Sequence, residues 1–231
     1  MRSLIGKHMI KRLLVLATIT FAIAFAAVPK VSAAACTAGN YSAYFVPGFS
    51  CQIDGLNFSN FSFNAAGNNP ITPSSIGVVP ITTPGNQGFN FNPGIILAGT
   101  NQTADVALDF DVTAMNGFLT DLGISFNGSV FGTGATSFSE TVTGATFPGA
   151  PTISVTNPPA GNSGPLNVVF TTPVTTIHVV KDIGANTGAN GEASISQVIN
   201  TFSNTVPEPA TLTLLSIGLT GLLAFGVRRK S

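Results

Sequence analysis

The stretch Asp105-Val106-Ala107-Leu108-Asp109-Phe110-Asp111-Val112 alternates acid or small residue with a large apolar one over eight positions. In an extended strand successive side chains point to opposite faces, so Val106, Leu108, Phe110 and Val112 share a buried face and Asp105, Asp109 and Asp111 face water. A helix would scatter the same residues around its axis. The segment therefore predicts a strand that is half buried, the unit of an antiparallel sheet.

Working outward, the same rhythm recurs at residues 122–131, 137–142, 152–155, 166–170, 174–181 and 193–202, with Gly or Pro between nearly all of them. Many short strands broken by turn residues predict an all-β fold, an antiparallel β-sandwich or jelly-roll-like single domain, since parallel units would need intervening helices. Composition agrees: 25 Gly, 15 Pro, no Trp and only 8% charged residues. Residues 64–94, rich in Asn, Gly and Pro, are expected to hold the longest loops. In Leu56-Asn57-Phe58-Ser59-Asn60-Phe61-Ser62-Phe63 the alternation skips one position. An extra residue at Ser59 or Asn60 predicts a β-bulge that keeps Phe58, Phe61 and Phe63 on one side.

The ends of the chain read differently. Arg2, Lys7, Lys11 and Arg12 precede an apolar run over 13–28, Pro29 stops it, and Val31-Ser32-Ala33-Ala34-Ala35 supplies small residues. That order is a secretory signal peptide over 1–35, cut after Ala33 or Ala35 by signal peptidase as part of general export. A lipoprotein with Cys36 acylated is disfavoured, because no Leu stands three positions before it. Near the other end, Val206-Pro207-Glu208-Pro209-Ala210-Thr211 is followed by an apolar segment over 212–227 and by Arg228-Arg229-Lys230. The apolar segment is long enough for a transmembrane helix through the inner membrane, with the basic cluster held in the cytoplasm. Hydropathy alone leaves a simple tail anchor open.

With residues 1–35 and 207–231 set aside, the stretch 36–206 is expected to form one extracellular domain. It keeps 8 of the 9 acids against Lys181 alone, a formal charge of −7. No basic footprint exists for nucleic acid, so nucleic acid is excluded as a partner. Cys36 and Cys51 are the only cysteines, and in an oxidising compartment they are expected to form a disulfide, the alternative being two buried free thiols. Their spacing does not suit a structural zinc site.

No catalytic constellation emerges. Gly161-Asn162-Ser163-Gly164-Pro165 reads as a turn rather than a nucleophile loop, since His178, the only histidine within 36–206, lies in a strand pattern between Ile177 and Val179. His178 is expected on the opposite face from those two, solvent-facing or hydrogen-bonded. Asp109, Asp111, Asp121 and Glu140 could in principle pair for glycoside hydrolysis, but solvated strand faces are their expected place. Asp182, Asn186, Asn190 and Glu192 form an oxygen-rich stretch without EF-hand spacing, so no metal and no cofactor is expected. Tyr41 and Tyr44, the only tyrosines, are a candidate sugar-facing patch, because 15 of the 18 Phe lie in the domain and are expected to be buried. Thr171, Thr172, Thr175 and Thr176 are too few for a regular ice-binding array.

The Pro-Glu-Pro triplet, apolar span and basic cluster together resemble the PEP-CTERM signal. Cys36, the stretch Cys51-Gln52-Ile53-Asp54-Gly55 leading into Phe58 to Phe63, Val180-Lys181-Asp182-Ile183 and residues 191–202 resemble a group of PEP-CTERM proteins of unknown function. The first resemblance implies an exosortase that recognises Pro207, Glu208 and Pro209, and a transient inner-membrane anchor. It also implies association with exopolysaccharide and biofilm matrix. The expected function is a non-enzymatic, exported structural or adhesive protein of the cell surface or extracellular matrix. The alternatives are a secreted carbohydrate-binding module or, less favoured, a secreted hydrolase.

Overall fold

The structure is a computed structural model that describes residues 33–148, 152–157 and 163–205. The expected signal peptide, apart from residues 33–35, and the expected membrane span lie outside them. Among the described residues no helix is long and apolar enough to cross a membrane.

Two antiparallel sheets face each other. The first carries the order β1 (Gly39–Asn40), β4 (Gly77–Thr83), β5 (Asn86–Asn92), β13 (Gly191–Thr205), β8 (Phe118–Gly132) and β11 (Ser163–Val174), with β6 (Ile95–Gly99) also paired to β13. The second runs β10 (Thr152–Asn157), β9 (Ala135–Thr143), β12 (Thr176–Asn186), β7 (Thr103–Ala114), β3 (Leu56–Ala66) and β2 (Ser50–Ile53). The chain changes sheet at every step except β2 to β3, β4 to β5, β5 to β6 and β9 to β10, so each sheet is held by strands distant in sequence. The antiparallel β-sandwich expected from the strand spacing is the fold found.

β7 sits inside the second sheet, between β12 and β3, and Val106, Leu108, Phe110 and Val112 are fully buried, as its alternation requires. Its other face is drier than expected. Asp105 is exposed, but Asp109 and Asp111 are only partly so, because side chains from β3 and β12 lean over them. Across the interior, Phe58 of β3 meets Phe89 of β5 edge-on with centroids 4.7 Å apart. Phe126 of β8 stacks on Phe138 of β9 at 5.8 Å. Such pairs add about 0.5–1.5 kcal/mol each beyond the burial of their area.

The bulge in β3 is present. The register to β7 shifts between Ser59 and Ser62, and Asn60 takes a φ of 55°. Phe58 and Phe61 are buried and Phe63 packs against the same cluster. Asn tolerates the left-handed region better than most residues, so the bulge sits where the chain can accept it. Before it, Asp54 and Gly55, both at positive φ, form the two-residue turn that joins β2 to β3.

Residues 64–94 hold more than the expected loop. They hold a loop over 67–76, but also β4 and β5, which form much of one half of the first sheet. Gln87, Phe89 and Phe91 alternate inward from β5. Asn and Gly on the intervening positions hid that pattern, being weak strand formers by propensity. At Gly88 a Cβ would lie 2.0 Å from the Asn200 carbonyl oxygen, so only glycine lets β5 lie this close to β13.

Candidate functional site

Three regions carry chemistry or recognition: the segment following β13, the strap around the cysteines, and the polar groups on β7, β9, β12 and β13. Pro207, Glu208 and Pro209 lie outside the described residues and begin two positions after Thr205, where strand β13 ends. The apolar segment 212–227 and the basic cluster 228–230 also lie outside.

Cys36 and Cys51 form a disulfide with Cα atoms 4.8 Å apart. The closed loop holds β1, which caps the edge of one sheet by pairing with β4, and leads into β2, which pairs with β3 of the other. Between them stands a single helical turn, α1 (Tyr41–Tyr44). The strap therefore spans one open edge of the sandwich and delivers two rings into it. Tyr41 is 0% and Tyr44 2% exposed. Tyr44 meets Phe61 at 5.2 Å and Phe89 at 5.5 Å, while the Tyr41 hydroxyl donates to the carbonyls of Ser62 at 2.8 Å and Asp109 at 3.1 Å. Burial pushes the Tyr44 hydroxyl up to about 12, against a smaller opposing effect of the Thr37 carbonyl, and raises Tyr41 further, with Asp109 adding to it. The sugar-facing patch expected of these tyrosines is thereby corrected. Amphipathic rings close an edge here, their hydroxyls satisfied by backbone oxygens.

The four carboxylates do not converge. Asp109 accepts from Ser62 at 2.6 Å, and Asp111 accepts from Asn60 at 2.7 Å and lies 2.7 Å from Nδ1 of His178. Asp121 sits on the other sheet and accepts from Ser203 at 2.7 Å. Glu140 is fully buried, contrary to the solvated position expected of it. His178 behaves as its neighbours imply: Ile177 and Val179 are buried, while its own side chain stays 43% exposed on the opposite face. Ser163 lies in β11 paired with Phe126, not in a turn, and Gly161 and Asn162 fall outside the described residues.

The oxygen-rich stretch is likewise dispersed. Asn186 Oδ1 accepts from the Gly188 amide at 2.6 Å, and the Asn190 amide donates to Thr133 at 2.9 Å. Asp182 pairs with Asp105 instead. Its carboxyl is raised to about 6, first by burial and then by the Asp105 carboxylate hydrogen-bonded to it. Among the described residues no group of three or more His, Cys, Asp or Glu could hold a metal ion.

One cluster was not anticipated. Lys181 on β12 and Glu140 on β9 are cross-strand partners, both fully buried, and their side chains form an ion pair in the interior. Asn200 of β13, in the opposite sheet and also fully buried, donates from Nδ2 to the second oxygen of the same carboxylate at 3.1 Å. The ammonium lies 5.5–5.9 Å from the ring centroids of Phe91, Phe110 and Phe138. Burial raises Glu140 and lowers Lys181, in each case against the pull of the partner. A signal existed in the sequence. Lys181 continues the inward series Ile177, Val179, Ile183, and Glu140 stands between inward Phe138 and Val142. Charge had outweighed periodicity, since Lys and Glu are seldom fully buried unless paired.

The chain has no significant match among curated protein sequences. Among solved structures it is similar to TmCBM61, determined in complex with beta-1,4-galactotriose. The likeness has 12% identity and a TM-score of 0.32, over 60% of this chain and 86% of that one. It is similar also to the enzymatically active domain of tailspike protein 4 of bacteriophage CBA120, at 16% identity and a TM-score of 0.28, over 62% of this chain and 19% of that one. TM-scores this low carry no argument about fold or ligand. The family description that matches is the PEP-CTERM protein-sorting motif, over residues 205–230. It covers Pro207, Glu208, Pro209, the apolar segment and the basic cluster. The chain therefore carries a PEP-CTERM sorting motif, which implies an exported protein, anchored transiently in the membrane and sorted by an exosortase.

Proposed function

We propose that the protein is a non-enzymatic structural or adhesive component of the cell surface or extracellular matrix, associated with exopolysaccharide. In this reading signal peptidase removes residues up to Ala33 or Ala35, the span 212–227 holds the folded domain at the inner membrane, and exosortase acts at Pro207, Glu208 and Pro209. The observation that carries it is the sorting motif at residues 205–230. The domain supports it too: a disulfide ties the strap to β2, and the four candidate carboxylates are spent on separate hydrogen bonds or a buried ion pair.

Carbohydrate binding is the second reading. It draws support from a groove of about 330 Å³ on the outside of the first sheet, where Phe131 is 71% exposed beside Ser129, Glu192 and Ser194. An exposed ring flanked by hydroxyls and a carboxylate is the chemistry a sugar face uses.

The two readings part in one experiment. The purified domain is tested for retention in preformed matrix and for binding on a glycan array, beside a Phe131→Ala variant. Retention that survives the substitution, with no discrete glycan bound, supports the structural reading. Binding to a defined glycan that is lost in the variant supports the second, and failure to associate with matrix or glycan contradicts both.

A further inference from the structure

Lys181 is the only Lys or Arg between residues 31 and 227, and the fold places it in the dry interior rather than at the surface. A buried ion pair is a poor way to stabilise a core, because desolvation of both charges offsets most of their attraction, and apolar residues of similar volume do as well or better. The arrangement has a further peculiarity. The carboxylate of Glu140 bridges two groups from opposite sheets, with one oxygen against Nζ of Lys181 and the other against the side-chain amide of Asn200. The amide's Oδ1 is buried and has no hydrogen-bond partner. An amine, a carboxamide and a carboxyl that touches both, enclosed by Phe91, Phe110 and Phe138, are the components of an intramolecular transamidation.

We propose that Lys181 and Asn200 join through an isopeptide bond, formed within the folded domain with Glu140 as proton carrier, so that β12 of one sheet is covalently tied to β13 of the other. Nζ, as the free amine, attacks Cγ of Asn200. The Nζ–Cγ bond forms while the carbonyl electron pair moves onto Oδ1. Glu140, in its protonated form, passes a proton from the oxygen facing Asn200 to Nδ2 and receives one from Nζ on the oxygen facing Lys181. The pair on Oδ1 then returns, the Cγ–Nδ2 bond breaks, and ammonia leaves. Glu140 ends as it began, and no oxidant or further reactant enters. The interior favours this protonation pattern, since burial disfavours the ammonium and the carboxylate alike. The reacting groups are also held in place by β-ladders, so no translational freedom is lost on reaching one another.

The sequence makes the test direct, because trypsin has one site between residues 31 and 227, after Lys181, and an acylated lysine is not cleaved. Full-length protein is produced with its export signals and the mature form recovered, then denatured, reduced, weighed intact and digested. The wild type should be lighter than its sequence by one ammonia and resist cleavage after Lys181, while Glu140→Gln should show the full mass and be cut there. Full mass and cleavage after Lys181 in folded wild type would overturn the proposal whatever the variant does. Loss of one water instead of one ammonia would place the bond on a carboxyl group, and a fully cross-linked Glu140→Gln would remove Glu140 from the mechanism; either result contradicts it.

Discussion

Strand β12 presents two acid–base pairs three residues apart, and they live in different solvents. His178 meets Asp111 on the outer face at 2.7 Å, with side chains 43% and 24% exposed, and Asn60 shares the same carboxylate. Lys181 meets Glu140 on the inner face with no exposure at all, and Asn200 shares that carboxylate. The connectivity is nearly the same: a basic residue of β12, an acid of the adjacent strand, a shared Asn. What differs is water. On the outside, solvent screens the pair and would rescue either partner if the other were lost. On the inside, no such rescue exists, so the pair's worth lies in what its loss would strand.

The sharpest way to break the comparison is to orphan the inner charge. Glu140→Ala should cost about 3–5 kcal/mol in urea unfolding, because it leaves Lys181 unpaired among phenylalanines. Neither that variant nor the double change Glu140→Met with Lys181→Met can form the cross-link, so the double variant should recover the part of the loss that comes from the stranded ammonium and be the more stable of the two. A double variant as unstable as the single one would contradict this account of the interior.

The strap comes next. Replacing Cys36 and Cys51 by Ala opens a loop with a separation of 15 residues, and the chain-entropy model gives about 3 kcal/mol for a loop of that size. As Tyr41 and Tyr44 are the only tyrosines and no Trp exists, intrinsic fluorescence should report the loosening of this edge directly. The outer pair should matter less: His178→Ala is expected to cost roughly 0.2–1 kcal/mol, and less at high salt.

The smallest effect concerns pH. Asp182 is raised from 3.8 to about 6 in the folded protein, so the folded state holds this proton more tightly than the unfolded chain. Its contribution to stability is therefore complete below 3.8 and is lost as pH climbs through about 6. Unfolding midpoints of wild type and Asp182→Asn across that window should converge at the acid end for this group, with the slope flatter in the variant.

How much was legible follows from which physical rule dominates at each residue. Period-two alternation identified the inward face of β7, because Val106, Leu108, Phe110 and Val112 are all large and apolar. The slip at Asn60 was readable for the same reason, three Phe residues being out of step by one. β5 was hidden because its outward positions are Asn and Gly, which speak for loops even when Phe89 and Phe91 face inward. Tyr41 and Tyr44 were misplaced because an amphipathic ring fits a sugar or a core equally well, and only the disulfide strap decides between them. Glu140, Lys181 and Asn200 come from three strands in two sheets, and no local pattern can announce that they meet. The sorting motif is the opposite case. It is read by another protein as a linear string, so its whole content lies in consecutive residues.

That string is also where the central claim is most directly exposed. Wild-type protein and a variant carrying Pro207→Ala, Glu208→Ala and Pro209→Ala would be expressed in an exosortase-positive host, fractionated, and weighed from each fraction. The account predicts wild type at the surface or in the medium without its span 212–227, and the variant held in the inner membrane with that span attached. The same mass and the same fraction for both would contradict it.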